Sequence, residues 1–216
     1  MQTINIGSNS YSLCTIPTSP GASEIEIGMN DAVAVFTSPF TGSQQTQQFP
    51  GGDNWDATIT LPPMYYSQAA PWEGFLAELR GKLNVFQLGD TRTKTLLGVG
   101  TGTPVVNTSG SNNLAMTTSL FTSGWTHSTT GLLLPNDKFQ IGYRLYKVAG
   151  SSPVNSDSSG NATIQVWPSL RETPANGTPI ILNSPVGIFR LASNRRAIHW
   201  SPTRLTTVSL ACVEAR

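Results

Sequence analysis

A spacing of two governs this chain. Gln2-Thr-Ile-Asn-Ile6, Ser23-Glu-Ile-Glu-Ile27, Ala32-Val-Ala-Val-Phe36, Ala57-Thr-Ile-Thr-Leu61 and Ala162-Thr-Ile-Gln-Val-Trp167 alternate apolar with polar residues or concentrate β-branched ones. Successive side chains on a strand point to opposite faces, so this is the pattern of half-buried β-strands. Lys138 to Val148 keeps the alternation over eleven positions, and its break at Gly142 predicts a bulge or a tight hairpin. Toward the C-terminus, Gly187–Leu191, Ala197–Trp200 and Arg204–Val213 predict three further strands separated by turn residues. The expected fold is mainly β, a β-barrel or β-sandwich core.

One segment has a different period. Trp72, Phe75, Leu76 and Leu79 fall at i, i+3, i+4 and i+7, which puts them on one stripe of a helix over about 68–80. Ser67 is placed to cap it, Pro71 to sit in its first turn and Gly81 to end it. So short a helix is marginal alone and must pack its stripe on a sheet. Between Gly98 and Gly131 the texture becomes Gly, Thr, Ser and Asn with short apolar islands, which predicts a small inserted β lobe. The expected organisation is a β domain built from 1–98 and 131–216, with 99–130 inserted. Gly150–Gly160 reads as an exposed hairpin tip.

Composition narrows the function. At 216 residues the chain is long enough to bury a core without staples. Only 12% of residues are charged and the net charge is +1, against about 25% charged in an average domain. A near-neutral surface lacks the basic face that phosphates require, so no nucleic-acid partner is expected, and it offers as little to an anionic membrane. The first residues contain no basic region followed by an apolar run, so neither a secretory signal nor an anchor is expected. Cys14 and Cys212 read as two buried thiols; a disulfide would need the terminal strands to pair.

No catalytic pattern emerges. Gly98-Val-Gly-Thr-Gly102 is followed by Pro104 and β-branched residues, so no helix N-terminus faces a would-be phosphate. The two histidines, His127 and His199, stand in no metal-ligand spacing, and no nucleophile elbow is present. Glu24 and Glu26 lie beside Ile25 and Ile27 as the wet side of one strand. No enzyme activity, cofactor or metal is therefore expected. Among the tryptophans, Trp72 and Trp167 sit in periodic apolar contexts as core. Trp55 follows a glycine turn as an anchor under the preceding glutamines. Trp125, in a polar loop with His127 close by, is the candidate for a surface or ligand contact.

The most distinctive stretch is Ser38-Pro-Phe-Thr-Gly-Ser-Gln-Gln-Thr-Gln-Gln-Phe-Pro-Gly-Gly-Asp-Asn-Trp55, running into a strand that ends at Leu61-Pro-Pro-Met64. Its Gln, Thr, Phe and Trp side chains hydrogen-bond and stack while carrying little charge, which suits a permanent interface. The candidate interface residues are Phe40, Gln44, Gln45, Gln47, Gln48 and Phe49. The order of Ser38–Thr41, Gln44, Gly51, Gly52, Trp55, Leu61–Met64 and Trp72–Gly81 resembles the distal tail protein, or a related tail-tip ring protein, of long-tailed bacteriophages. The resemblance covers roughly 30–90, with a second match at Leu132–Gly142 and Asn161–Glu172; the middle, 99–130, resembles nothing in that family.

The resemblance implies a structural virion component with no catalytic residue. It would be a ring, six-fold by analogy, that joins the tail tube to the distal hub. Its implied partners are copies of itself, the tube protein, the tape-measure protein and the hub or receptor-binding protein. It would be made in the bacterial host's cytoplasm and located at the tail tip. Subunits would meet through strand edges and the 41–49 loop, left exposed until the ring closes. The alternatives are a carbohydrate-binding β-sandwich that uses Trp125, or another ring of the same tail such as the tube or terminator protein.

Overall fold

A computed structural model describes residues 2–109, 113–200 and 205–216. Residues 110–112 of the predicted lobe and Arg204, the predicted start of the last strand, lie outside them. The first part of the chain forms β1 (Gln2–Ile6), β2 (Asn9–Cys14), β3 (Glu24–Asn30), β4 (Val33–Thr37), β5 (Gln44–Gln48), β6 (Asn54–Thr60), β7 (Met64–Tyr65), helix α1 (Tyr66–Leu79) and β8 (Val85–Leu88). The middle forms β9 (Gly102–Val106), β10 (Ser119–Trp125), β11 (Lys138–Ile141), β12 (Arg144–Val148), β13 (Ala162–Trp167) and β14 (Ile180–Ile181). The chain ends with β15 (Gly187–Leu191), β16 (His199–Trp200), β17 (Leu205–Thr207) and β18 (Ser209–Glu214). The fold is mainly β with one packed α-helix, as the period of two predicts.

Two β units carry the structure. The first is a seven-stranded sheet of order β1-β2-β8-β15-β18-β6-β3, antiparallel except where β2 meets β8. The second is a six-stranded sheet of order β14-β11-β12-β13-β10-β9 that curls until its two edges touch, through the bridge between Val105 and Pro179. This is a nearly closed barrel, filled by Leu120, Leu132, Leu133, Phe139, Ile164 and their neighbours. The expected lobe at 99–130 is therefore not a unit of its own. Its strands β9 and β10 complete a barrel with 138–181, and only 187–214 returns to complete the first sheet.

Helix α1 lies on the first sheet and buries Ala69, Trp72, Phe75, Leu76 and Leu79, the stripe that the sequence predicts. Its ends differ from expectation. The chain enters at Tyr65, whose N–H donates to the Gln68 side chain, so Ser67 lies inside the helix and does not cap it. Pro71 falls past the first turn, and Arg80, in the left-handed region, ends the helix just before Gly81. Trp72 meets Phe75 edge to face at 5.9 Å, and Phe75 meets Phe86 at 5.5 Å. The Trp72 indole N–H donates to the Pro20 carbonyl at 3.1 Å.

The break at Gly142 is a tight hairpin, with Ile141 opposite Arg144 and Gly142 at φ 57°. The strands on either side are not half-buried, however; all four residues of β11 are buried. Phe139 and Ile141 fill the barrel, while Lys138 and Gln140 are covered from outside because the barrel packs against the first sheet. Lys138 ion-pairs there with the equally buried Asp90 and lies 5.4 Å from the Trp55 ring centroid. The Gln140 side-chain carbonyl accepts from the Val186 N–H at 2.9 Å. Cys14 and Cys212 are both buried free thiols on strands separated by β8 and β15. Burial, with the Glu78 carboxylate adding to it, pushes the Cys14 thiol up to about 11, and burial pushes Cys212 up to about 12.

Two measurements test this packing. Trp72→Ala is expected to lower unfolding stability by about 3–5 kcal/mol, read from urea midpoints, because it empties the centre of the helix–sheet contact. Asp90 gives a pH dependence. Burial alone would raise its carboxyl pKa, but hydrogen bonds from Arg92 and Lys138 prevail and hold it well below the ordinary carboxylate range. A depressed folded-state pKa contributes stability above the unfolded-state value, ~4, and that contribution is lost as pH falls below it. Asp90→Asn should therefore cost most at pH 7, and its gap from the wild type should narrow between pH 5 and pH 2. A gap that stays constant would contradict the assignment.

Candidate assembly interface

Strands β3 and β6 pair from Glu24 opposite Thr60 to Asn30 opposite Asn54, and β3 forms one edge of the seven-stranded sheet. Beyond the Asn30–Asn54 end of that ladder the same two chain segments continue as a second ribbon, β4 with β5, from Val33 opposite Gln48 to Thr37 opposite Gln44. The joint between the ribbons is held by Phe49 N–H donating to Ala32 O and Gly52 N–H donating to Phe49 O. Glycine is required at 52, where a Cβ would stand 2.3 Å from Ala32 Cβ. The tip is closed by Ser38 N–H to Ser43 O and Gly42 N–H to Ser38 O.

The expected glutamine loop is thus partly a strand: Gln44, Gln45, Gln47 and Gln48 lie in β5, and the turn between β4 and β5 spans 38–43. Every residue of β5 is exposed. Phe40 is 95% exposed at the tip, Phe36 57% and Val35 56% exposed on β4, and Phe49 47% exposed at the base. From Ala32 to Gly52 no residue carries a charge. The alternation of Ala32–Phe36 suggested a half-buried strand, yet Val33, Val35 and Phe36 are open to solvent. The six candidate interface residues do share one projecting arm.

The base of the arm is clamped to the body. Asp31 accepts from the Trp167 indole N–H at 2.6 Å, Gly51 N–H donates to Ser169 Oγ at 2.9 Å, and Ser169 Oγ lies 3.2 Å from the Asp53 carboxylate. Arg171 donates to the Gly51 carbonyl at 3.1 Å and grips Glu214 with two bonds of 2.7 and 3.2 Å. Arg144 completes the cluster, 3.8 Å from the same carboxylate, and Trp55 N–H donates to it at 3.3 Å. Trp55 is an anchor, but under the junction of sheet and barrel; its indole N–H donates to Leu145 O and its ring meets Trp167 edge-on at 4.6 Å. No motif marked Arg144, Arg171 and Glu214, because their partnership depends on a fold that brings three distant segments together.

Trp125 is not a surface residue. It is 2% exposed, in the barrel core, with its indole N–H donating to Thr122 Oγ1 at 2.7 Å. The polar loop around it is the end of a strand, and its ring faces inward. His127 is exposed beside Gly160. His199 is exposed on β16, next to Trp200, which is 79% exposed. Among the described residues no group of three His, Cys, Asp or Glu side chains converges as a metal site would. No protein-family model matches the chain, and no curated protein proves similar to it in sequence.

The clamp can be tested separately from the arm. Glu214→Gln leaves Arg171 buried without its counter-charge and Arg144 with only Glu172, 3.7 Å away; removing one partner of a buried pair typically costs about 3–5 kcal/mol. The expected result is a loss of that size in urea unfolding, together with faster amide exchange at Gly51 and Gly52. An unchanged exchange rate at the arm base would show that the clamp does not hold it.

Proposed function

We propose that this chain is a structural subunit of a phage tail tip, which assembles into a closed ring between the tail tube and the distal hub. The observation that carries this reading is the uncharged β4–β5 arm, with Val35, Phe36 and Phe40 open to solvent. A two-stranded hairpin alone is marginal in water. Its exposed apolar and glutamine side chains become useful when a second surface covers them. The arm carries no charge to desolvate, so a large permanent interface can form over it without burying an unpaired ion. The ordered motifs from Ser38 to Gly81 support the same reading by resemblance.

In this reading the first sheet and α1 are the rigid body, and the arm reaches a neighbouring copy. Free backbone groups along the edges at β1 and β3 offer further pairing. The ring's other partners would be the tube, tape-measure and hub proteins, and its location the virion. The carbohydrate-binding alternative loses the residue on which it rested, since Trp125 is core.

Native mass spectrometry over a concentration series, with negative-stain imaging, tests the proposal. A discrete closed ring is expected, and its count decides the symmetry. Val35→Glu, on the exposed arm, should shift the protein to monomer at the same concentration with an unchanged melting temperature. A wild-type chain that stays monomeric throughout would sink the reading.

A further inference from the structure

The barrel closes along a seam between β9 and β14. The two meet through the bridge at Val105 and Pro179, through Val106 N–H donating to Thr178 O and through Gly177 N–H donating to Val106 O. On the Ile180 side of that bridge lies a cleft of about 640 Å³, lined among others by Val99, Gly100, Gly102, Pro104, Ile180 and Leu182. The glycine run that fails as a phosphate loop has a role here. A Cβ at Gly102 would stand 2.5 Å from Gly124 O, so the close approach of β9 to β10 demands glycine there. Val99, one of its lining residues, is 61% exposed. No residue lining the cleft is charged.

An uncharged cleft of mixed polar and apolar lining and an uncharged arm of glutamines and threonine with an apolar tip match in chemistry, but they do not face each other within one chain. In the barrel's strand order, β12 and β13 lie directly opposite the β9/β14 seam. The arm springs from that far side. Asp31 is bonded to Trp167 at the end of β13, and Met29 Sδ lies 3.3 Å from the Lys147 ammonium on β12. We infer that the arm of one copy docks, Phe40 first, into the barrel seam of the next, against Val99 and Pro104. This deepens the proposed ring and rests on it. Arm and cleft are different surfaces, so the contact is heterologous, and repeated head to tail it closes a ring when the rotation per copy permits.

The test uses two variants at exposed positions, Phe40→Ser to disarm the tip and Val99→Glu to block the cleft. Each alone should lose the ring in native mass spectrometry while keeping the wild-type melting temperature. Mixed in equal amounts they should give a discrete one-to-one heterodimer. The Val99→Glu copy still has its arm, the Phe40→Ser copy still has its cleft, and no further copy can add. Rings that persist in either variant overturn the docking while leaving the ring itself standing. So does a mixture that stays monomeric when the wild type forms rings. A wild type that is monomeric at every concentration overturns both inferences.

Discussion

The carboxylate of Glu214 holds the molecule's two units in register. It sits on β18 of the seven-stranded sheet, accepts the Trp55 N–H from β6, and pairs with Arg171 and Arg144 from the barrel. Its side chain is 3% exposed and those of the two arginines 5% and 7%, so the cluster is dry. Such a group contributes little net stability compared with an apolar contact of the same volume. It contributes geometry. A bidentate guanidinium–carboxylate pair is satisfied in a narrow range of distances and angles, whereas an apolar face would tolerate sliding. The same Arg171 reaches the Gly51 carbonyl, so the orientation of barrel on sheet also sets the direction of the arm. Lys138 and Asp90 form a second pin of the same kind.

The sequence revealed its strands and its helix well, because both rest on local periodicity. Trp72, Phe75, Leu76 and Leu79 could be placed on one buried stripe with no knowledge of the sheet they meet. The partition into units was less legible. Strands β9 and β10 have short apolar islands between Gly and Ser, and nothing local shows that β10 pairs with β13, roughly forty residues further on. Lys138, Gln140 and Arg144 looked like the wet face of a strand, and they are buried because a second unit covers them. Trp125 failed for a related reason. The polarity of its neighbours Ser123, Thr126 and His127 described the loop, while the side chain points the other way into the core.

The arm proposed as an interface was legible in composition and not in shape. The absence of charge from Ala32 to Gly52 marked a surface suited to lasting contact, and the glutamines marked it as hydrogen-bonding. The same residues in a loop would have to order on binding, at an entropic cost of roughly 1–2 kcal/mol for each residue fixed. As a hairpin already registered from Val33–Gln48 to Thr37–Gln44, the arm bears most of that cost within the subunit.

This division explains why an exposed apolar arm need not be a liability. A flat, apolar edge invites indiscriminate pairing, and natural sheets blunt such edges with charge or with twist. Here the apolar side chains of β4 face solvent singly, and the strand beside them carries glutamines, whose amides remain well hydrated until a partner replaces the water. At the other end of β3, Glu24 and Glu26 are exposed and repel a second copy of the same edge. Like-with-like pairing along β3 is thereby disfavoured, while contact through the neutral tip is not. The charge pattern therefore selects against a symmetric edge-to-edge dimer and leaves open the head-to-tail contact on which a ring depends.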